Sequence, residues 1–195
     1  MNITQPLKDE HVLILKGLEF LRIARDKIES NQHPSKLFFQ KAVPFFQNYA
    51  DKYHHYKEEF LMFGFLAQKK EGRLDLEIGS LRHQHERGRQ FLTRLEKSIN
   101  GYEMKNEIAI TSLLENLASF ISVLRRHIFR EDHLFFPMVE HELSLDEKTF
   151  LLTQFDFEEK KLNSNNPIED NLELLKEMEK LIGVANDNYL QQGHA

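Results

Sequence analysis

The chain has 195 residues, 41% of them hydrophobic, enough for one domain with a core of its own. Its formal charge of -5, with both signs interspersed, excludes a basic nucleic-acid stripe, and no uninterrupted apolar run approaches the ~18 residues that read as a membrane span. There are no cysteines, which excludes disulfides, thiolate ligands and cysteine nucleophiles, so any metal must be held by carboxylates and the ten histidines.

The opening MNITQPLKDEH lacks the layout of a signal peptide, and together with the missing cysteines this fits a cytoplasmic protein. Few glycines and prolines and long Glu/Lys/Leu/Phe-rich stretches predict an all-helical chain. Helix one starts near Pro6 and runs to about Glu29, with Ile3, Leu7, Ile14, Leu18, Leu21 and Ile28 as its apolar stripe. After the turn SNQHPS, helix two covers about Lys36 to Lys70, kinked or divided at Pro44. Glu71-Gly72-Arg73 reads as a break. Helix three runs from about Leu74 to Ile99 and ends at Asn100-Gly101. Helix four runs from about Glu103 to His141, disturbed at Pro137. Ser144-Leu-Asp-Glu147 has the capping-box pattern and opens a fifth helix to about Leu162. The polar linker NSNNP, a short amphipathic helix over about Ile168 to Ile182, and a loose tail follow. The expected architecture is an antiparallel up-down four-helix bundle with accessory C-terminal helices. Residues 1–162 would form the bundle and fifth helix, and 163–195 the linker, short helix and tail. The accessory helices offer a surface for a homodimer or a protein partner.

Residues 54–63 read HHYKEEFLMF. A His and a Glu four apart lie one turn apart on one helix face, where a metal could take both. That spacing alone is weak. With 31 acids in 195 residues, roughly one His in six meets one at i+4, and three pairs exist: His54/Glu58, His55/Glu59 and His127/Glu131. The pattern recurs, however. Residues 127–136 read HIFREDHLFF, and both segments fit H-x-aromatic-basic-E-acid-x-L-x-F. The second copy offers only His127/Glu131, which selects His54/Glu58 in the first and leaves Lys57 and Glu59 as a solvated charged face. Converging buried glutamates are costly without a cation between them. Helix one supplies His11, inward by its neighbours Leu7, Leu15 and Leu18. Helix three supplies His85, on the face of Leu81, Gly88 and Leu92, whereas His83 shares a face with Arg87 and Gln90 and reads as surface. Imidazole with carboxylate suits iron, manganese or zinc.

PLKDEH, HHYKEE, QHERGR and HIFRED-x-LFFPM, in that order, resemble the hemerythrin-like HHE cation-binding family over about residues 5–160. The resemblance implies a four-helix bundle with a non-haem di-iron centre. In it His11, His54, His85 and His127 are terminal ligands, Glu58 and Glu131 bridge two irons, and an oxo or hydroxo group completes the bridge. Manganese or zinc could substitute. It also implies binding of dioxygen, nitric oxide or peroxide by a sensor, scavenger or iron-handling protein. The alternatives are an oxidoreductase consuming peroxide or nitric oxide on the same site, and a helical interaction module that has lost its metal. Two departures stand out. The second helix-three histidine of the oxygen carriers is Leu81 here, and their helix-four carboxylate is an Asp at i+5, so Asp132 competes with Glu131. His55, His133 and His141 read as exposed or supporting, with His55 able to orient a ligand from outside. Arg89 either backs a bridging glutamate or reaches solvent. Glu158 and Glu159 either reach the open side of the metal or are solvated. Phe63, Phe65, Phe135 and Phe136 are core residues that could also wall a dry pocket.

Overall fold

A computed structural model describes residues 2–69, 74–163 and 167–183, and among these every element is helical. Helix α1 spans Gln5–Glu29, with Pro6 in its first turn, where a missing N–H costs nothing. Asn31 (φ 59°) ends it in the left-handed conformation Asn tolerates, and Gln32 N–H reaches back to the Lys27 carbonyl at 2.8 Å. Helix α2 covers residues 36–69, α3 spans Asp75–Glu103, α4 spans Glu107–Glu142, α5 spans Leu145–Asn163 and α6 spans Pro167–Ile182. The expected break at Glu71-Gly72-Arg73, most of the linker and the tail beyond Gly183 lie outside the described residues.

Three expectations about the elements change. Asn100-Gly101 does not end α3, which continues to Glu103, and Lys105 (φ 55°) makes the turn instead. Gly101 serves close approach. A Cβ there would stand 2.4 Å from the Ala109 Cβ at the start of α4. Neither Pro44 nor Pro137 breaks its helix. Immediately after Pro44 the helix widens into π-helical turns over Phe46–His55 and Lys57–Met62, and a π-helical stretch at Glu131–Phe135 leads into Pro137. Helix α4 also has a stretch long and apolar enough to cross a bilayer by composition, although charged residues interrupt it. Its Leu113, Leu117, Phe120, Ile121 and Leu124 are buried in the bundle core.

Helices α1–α2, α2–α3, α3–α4 and α4–α1 pack as neighbours, so α2 and α4 face each other across the middle. The core is split. A large lower cluster holds Phe38, Phe45, Phe46, Phe120 and Leu124, and a smaller upper one holds Met62, Phe63, Leu81, Phe135 and Phe136. Between them lies a layer of buried polar residues: His11, His54, His55, Glu58, His85, His127 and Glu131. Helix α6 buries Leu175, Met178 and Ile182 against α1 and α2, and α5 covers the outer side of α2.

Candidate metal centre

All six residues singled out from the sequence reach this layer, and none is more than 1% exposed. Two overlapping groups form. In one, His11, His54, Glu58 and Glu131 bring ligand atoms within 4.8 Å of one another; in the other, His55, Glu58, His85 and His127 do so. Glu58 reaches both, at 3.6 Å from His54 Nε2 and 3.5 Å from His85 Nε2. Glu131 likewise lies 3.4 Å from His11 Nε2 and 2.9 Å from His127 Nε2. Two carboxylates thus sit between two sets of imidazoles.

His55 is the addition. Its ring stacks on His85 with centroids 3.7 Å apart and is buried. In an α-helix consecutive side chains diverge by about 100°, which is why one of His54 and His55 was expected to point away. The π-helical turn is wider, so that both neighbours face inward. His55 therefore stands in the group where Leu81, fully buried in the upper apolar cluster, offers no nitrogen. His83, His133 and His141 are exposed, as expected.

Each inward histidine is held from behind by an oxygen on Nδ1. Glu10 of α1 faces His54 of α2 at 2.8 Å, and Glu59 of α2 faces His85 of α3 at 2.6 Å. Gln84 of α3 faces His127 of α4 at 3.3 Å, and Asp132 of α4 returns to His11 of α1 at 2.8 Å. Asp51 supports His55 at 3.3 Å within α2. A carboxylate or amide oxygen only accepts, so Nδ1 carries a proton and Nε2 is the nitrogen that faces into the layer. Asp132 contacts His11 from outside, and Glu131 is the carboxylate that enters the buried layer. The structure also corrects the solvated face expected for Lys57 and Glu59. Glu59 is partly buried and bound to His85, and Arg89 lies 2.6 Å from it and 2.7 Å from Asp51. Lys57 is 1% exposed, paired with Glu10 and Glu159 and 3.8 Å above the Tyr53 ring. Tyr53 donates to Glu159, which therefore supports α2 from α5 and does not reach the centre. The signal that could have found these partners is adjacency in the chain, as in Glu10-His11, Glu58-Glu59, Gln84-His85 and Glu131-Asp132.

The charge states follow from burial and neighbours. Burial, with the other imidazoles near by, pushes His54 and His85 well below the ordinary histidine range, leaving both neutral. Burial would lower His11 too, but Asp132 and Glu131 raise it to about 9. Burial and the neighbouring Glu131 drive the Glu58 carboxyl well above its usual range. The same burial is overcome at Glu131 by His127 and His11, which hold it near 2. Six buried atoms lack any hydrogen-bond partner: Nε2 of His11 and His54 and both oxygens of Glu58 and Glu131. Unpaired buried polar atoms are costly, and a cation is the partner that all six can share as lone-pair donors once His11 releases its second proton. The donor set therefore fits a metal, with both carboxylates shared between the two histidine groups. Phe136 stacks on His11 at 5.6 Å and Phe63 on His85 at 6.2 Å, closing the layer from above.

The description "Hemerythrin HHE cation binding domain" matches residues 2–139. The chain belongs to that family. Uncharacterized proteins of Mycobacterium tuberculosis and Mycobacterium bovis are 23% identical to it over 184 residues, covering 93% of this chain and 71% of theirs. No solved structure matches the chain at a significant level.

Proposed function

We propose that this HHE domain is a non-haem di-iron protein that binds dioxygen, nitric oxide or peroxide as a sensor, scavenger or iron-handling protein. The observation that carries it is the set of six buried nitrogen and oxygen atoms without a hydrogen-bond partner, with Glu58 and Glu131 each lying between the two histidine groups. His11 and His54 would hold one ion, His55, His85 and His127 the other, and the two glutamates would span both. An all nitrogen-and-oxygen set with bridging carboxylates suits iron, with manganese or zinc as substitutes. Bound iron would supply a redox-active Lewis acid. The chain supplies the rest. Orienting oxygens fix each imidazole, neutral His54 and His85 are ready to ligate without losing a proton, and Phe63, Phe135 and Phe136 keep bulk water out.

The test is iron content and visible absorption of protein purified with iron, beside the His54→Ala/Glu131→Ala double variant. About two irons per chain and an absorption band lost in the variant are expected. A folded wild type that takes up no metal overturns the reading. Adding peroxide to the reduced protein separates binding from turnover.

A further inference from the structure

A cavity of ≈350 Å³ lies directly below the three-histidine group, between α2, α3 and α4. Its inner end is formed by His55 and His85, its walls by Phe46, Leu92, Phe120 and Leu124, all buried, and its outer end by the exposed Lys52 and Thr93. A water molecule has a share of about 30 Å³ of liquid volume, so the space far exceeds what a diatomic gas or hydrogen peroxide fills. It falls within the roughly 300–1,000 Å³ of pockets that hold small organic molecules.

Gly88 is the second observation. It lies in the interior of α3 on the cavity wall, where glycine is worse than alanine by roughly 0.5–1 kcal/mol. Packing does not require it, since a Cβ there would meet only Phe120 Cε2, at an ordinary 3.8 Å. What Gly88 preserves is space. Of the charges at the wall, Arg89 is matched to Asp51 and Glu59 and Asp51 to His55, while Lys52, at the outer end, donates to Asn48 Oδ1. An ionic guest held at the inner end, beside His55 and His85, would have to break those pairs, so the apolar surface there is left to select a neutral one.

We infer that this cavity is a binding site for a small, neutral, largely apolar organic molecule, of about the size of a single ring with a polar end, held against His55 and His85. That the guest also meets a metal rests on the function proposed above; the cavity does not.

Benzyl alcohol is the probe and benzoate its charged counterpart, each titrated calorimetrically into iron-free and iron-loaded protein. Saturable binding of benzyl alcohol at least tenfold tighter than benzoate is expected, weakened at least tenfold in Gly88→Leu. In the wild type, nuclear Overhauser contacts from the ring of the guest to Phe46 and Phe120 are expected whether or not Gly88→Leu folds. No saturable binding, tighter binding of benzoate, absent contacts to both phenylalanines, or unchanged binding in a folded Gly88→Leu overturns the inference. Binding to a protein that takes up no iron sustains the site while removing the di-iron reading. Iron uptake without binding does the reverse.

Discussion

His55 is the residue on which the three-histidine group depends, because Leu81 provides nothing in its place. Replacing His55 with Ala is expected to drop iron content toward one per chain with helicity unchanged, whereas His83→Ala on the exposed side of α3 leaves it at the wild-type value. Metal analysis beside circular dichroism checks this. Glu58 carries the opposite trade. In metal-free protein Glu58 is a buried carboxyl with no hydrogen-bond partner, driven well above its usual range by burial and by Glu131. The Glu58→Gln variant is expected to be more stable than metal-free wild type, by about 1–3 kcal/mol in urea unfolding, while losing metal binding. Lower stability of the variant in the absence of metal would show that this carboxyl is well solvated or paired. At this scale four of the six expected site residues were readable from two repeated ten-residue segments, and His11 and His85 from the apolar faces they share. His55, Glu59 and Lys57 were not, because an α-helical projection turns them outward while the π-helical stretch turns His55 inward and the accessory helices cover Lys57.

Among the elements, α5 shows the plainest link from sequence to structure. Ser144 N–H donates to Glu147 Oε2 at 2.8 Å and Glu147 N–H returns to Ser144 Oγ at 3.4 Å, the reciprocal pair its sequence announced. Lys69, at the end of α2, also binds Glu147, and Lys69 with Ser144 lowers the Glu147 carboxyl to about 2 from 4.5. A lowered folded-state value stabilises above the unfolded one. This contribution is thus full above pH 4.5 and is lost as pH falls from 4.5 through about 2. Glu147→Gln is expected to be less stable than wild type at pH 6, with the gap closing as unfolding is followed down through that window. A gap independent of pH would mean that the side chain acts by shape alone. The termini of α1 and α5 were legible because caps and prolines have local chemistry. The end of α3 was not, because Gly101 answers to Ala109 on the next helix, a tertiary demand that mimics a stop signal.

For the molecule as a whole, the accessory helices are part of the fold that positions the centre. α5 supplies Glu159 to Lys57 and Tyr53, and Lys57 in turn pairs with Glu10, the carboxylate behind His54. α6 seals the lower core with Met178, which is fully buried. Met178→Ala is expected to cost about 2–5 kcal/mol in thermal or urea unfolding, the usual effect of truncating a packed core residue. A change near zero would make α6 a mere surface appendage. The bundle itself was legible from four periodic stretches and short connections. The packing of α5 and α6 was not, since their apolar faces do not say which neighbour they cover.

The four cross-helix contacts behind the histidines run from α1 to α2, α2 to α3, α3 to α4 and α4 back to α1. In mechanical terms this is a closed linkage with no free end. No helix can swing away without pulling an imidazole on itself or its neighbour out of line, so the four should open together or not at all. Amide hydrogens flanking Glu10, Glu59, Gln84 and Asp132 would then exchange with one shared free energy, and breaking a single joint, as in Asp132→Ala, would loosen all four at once.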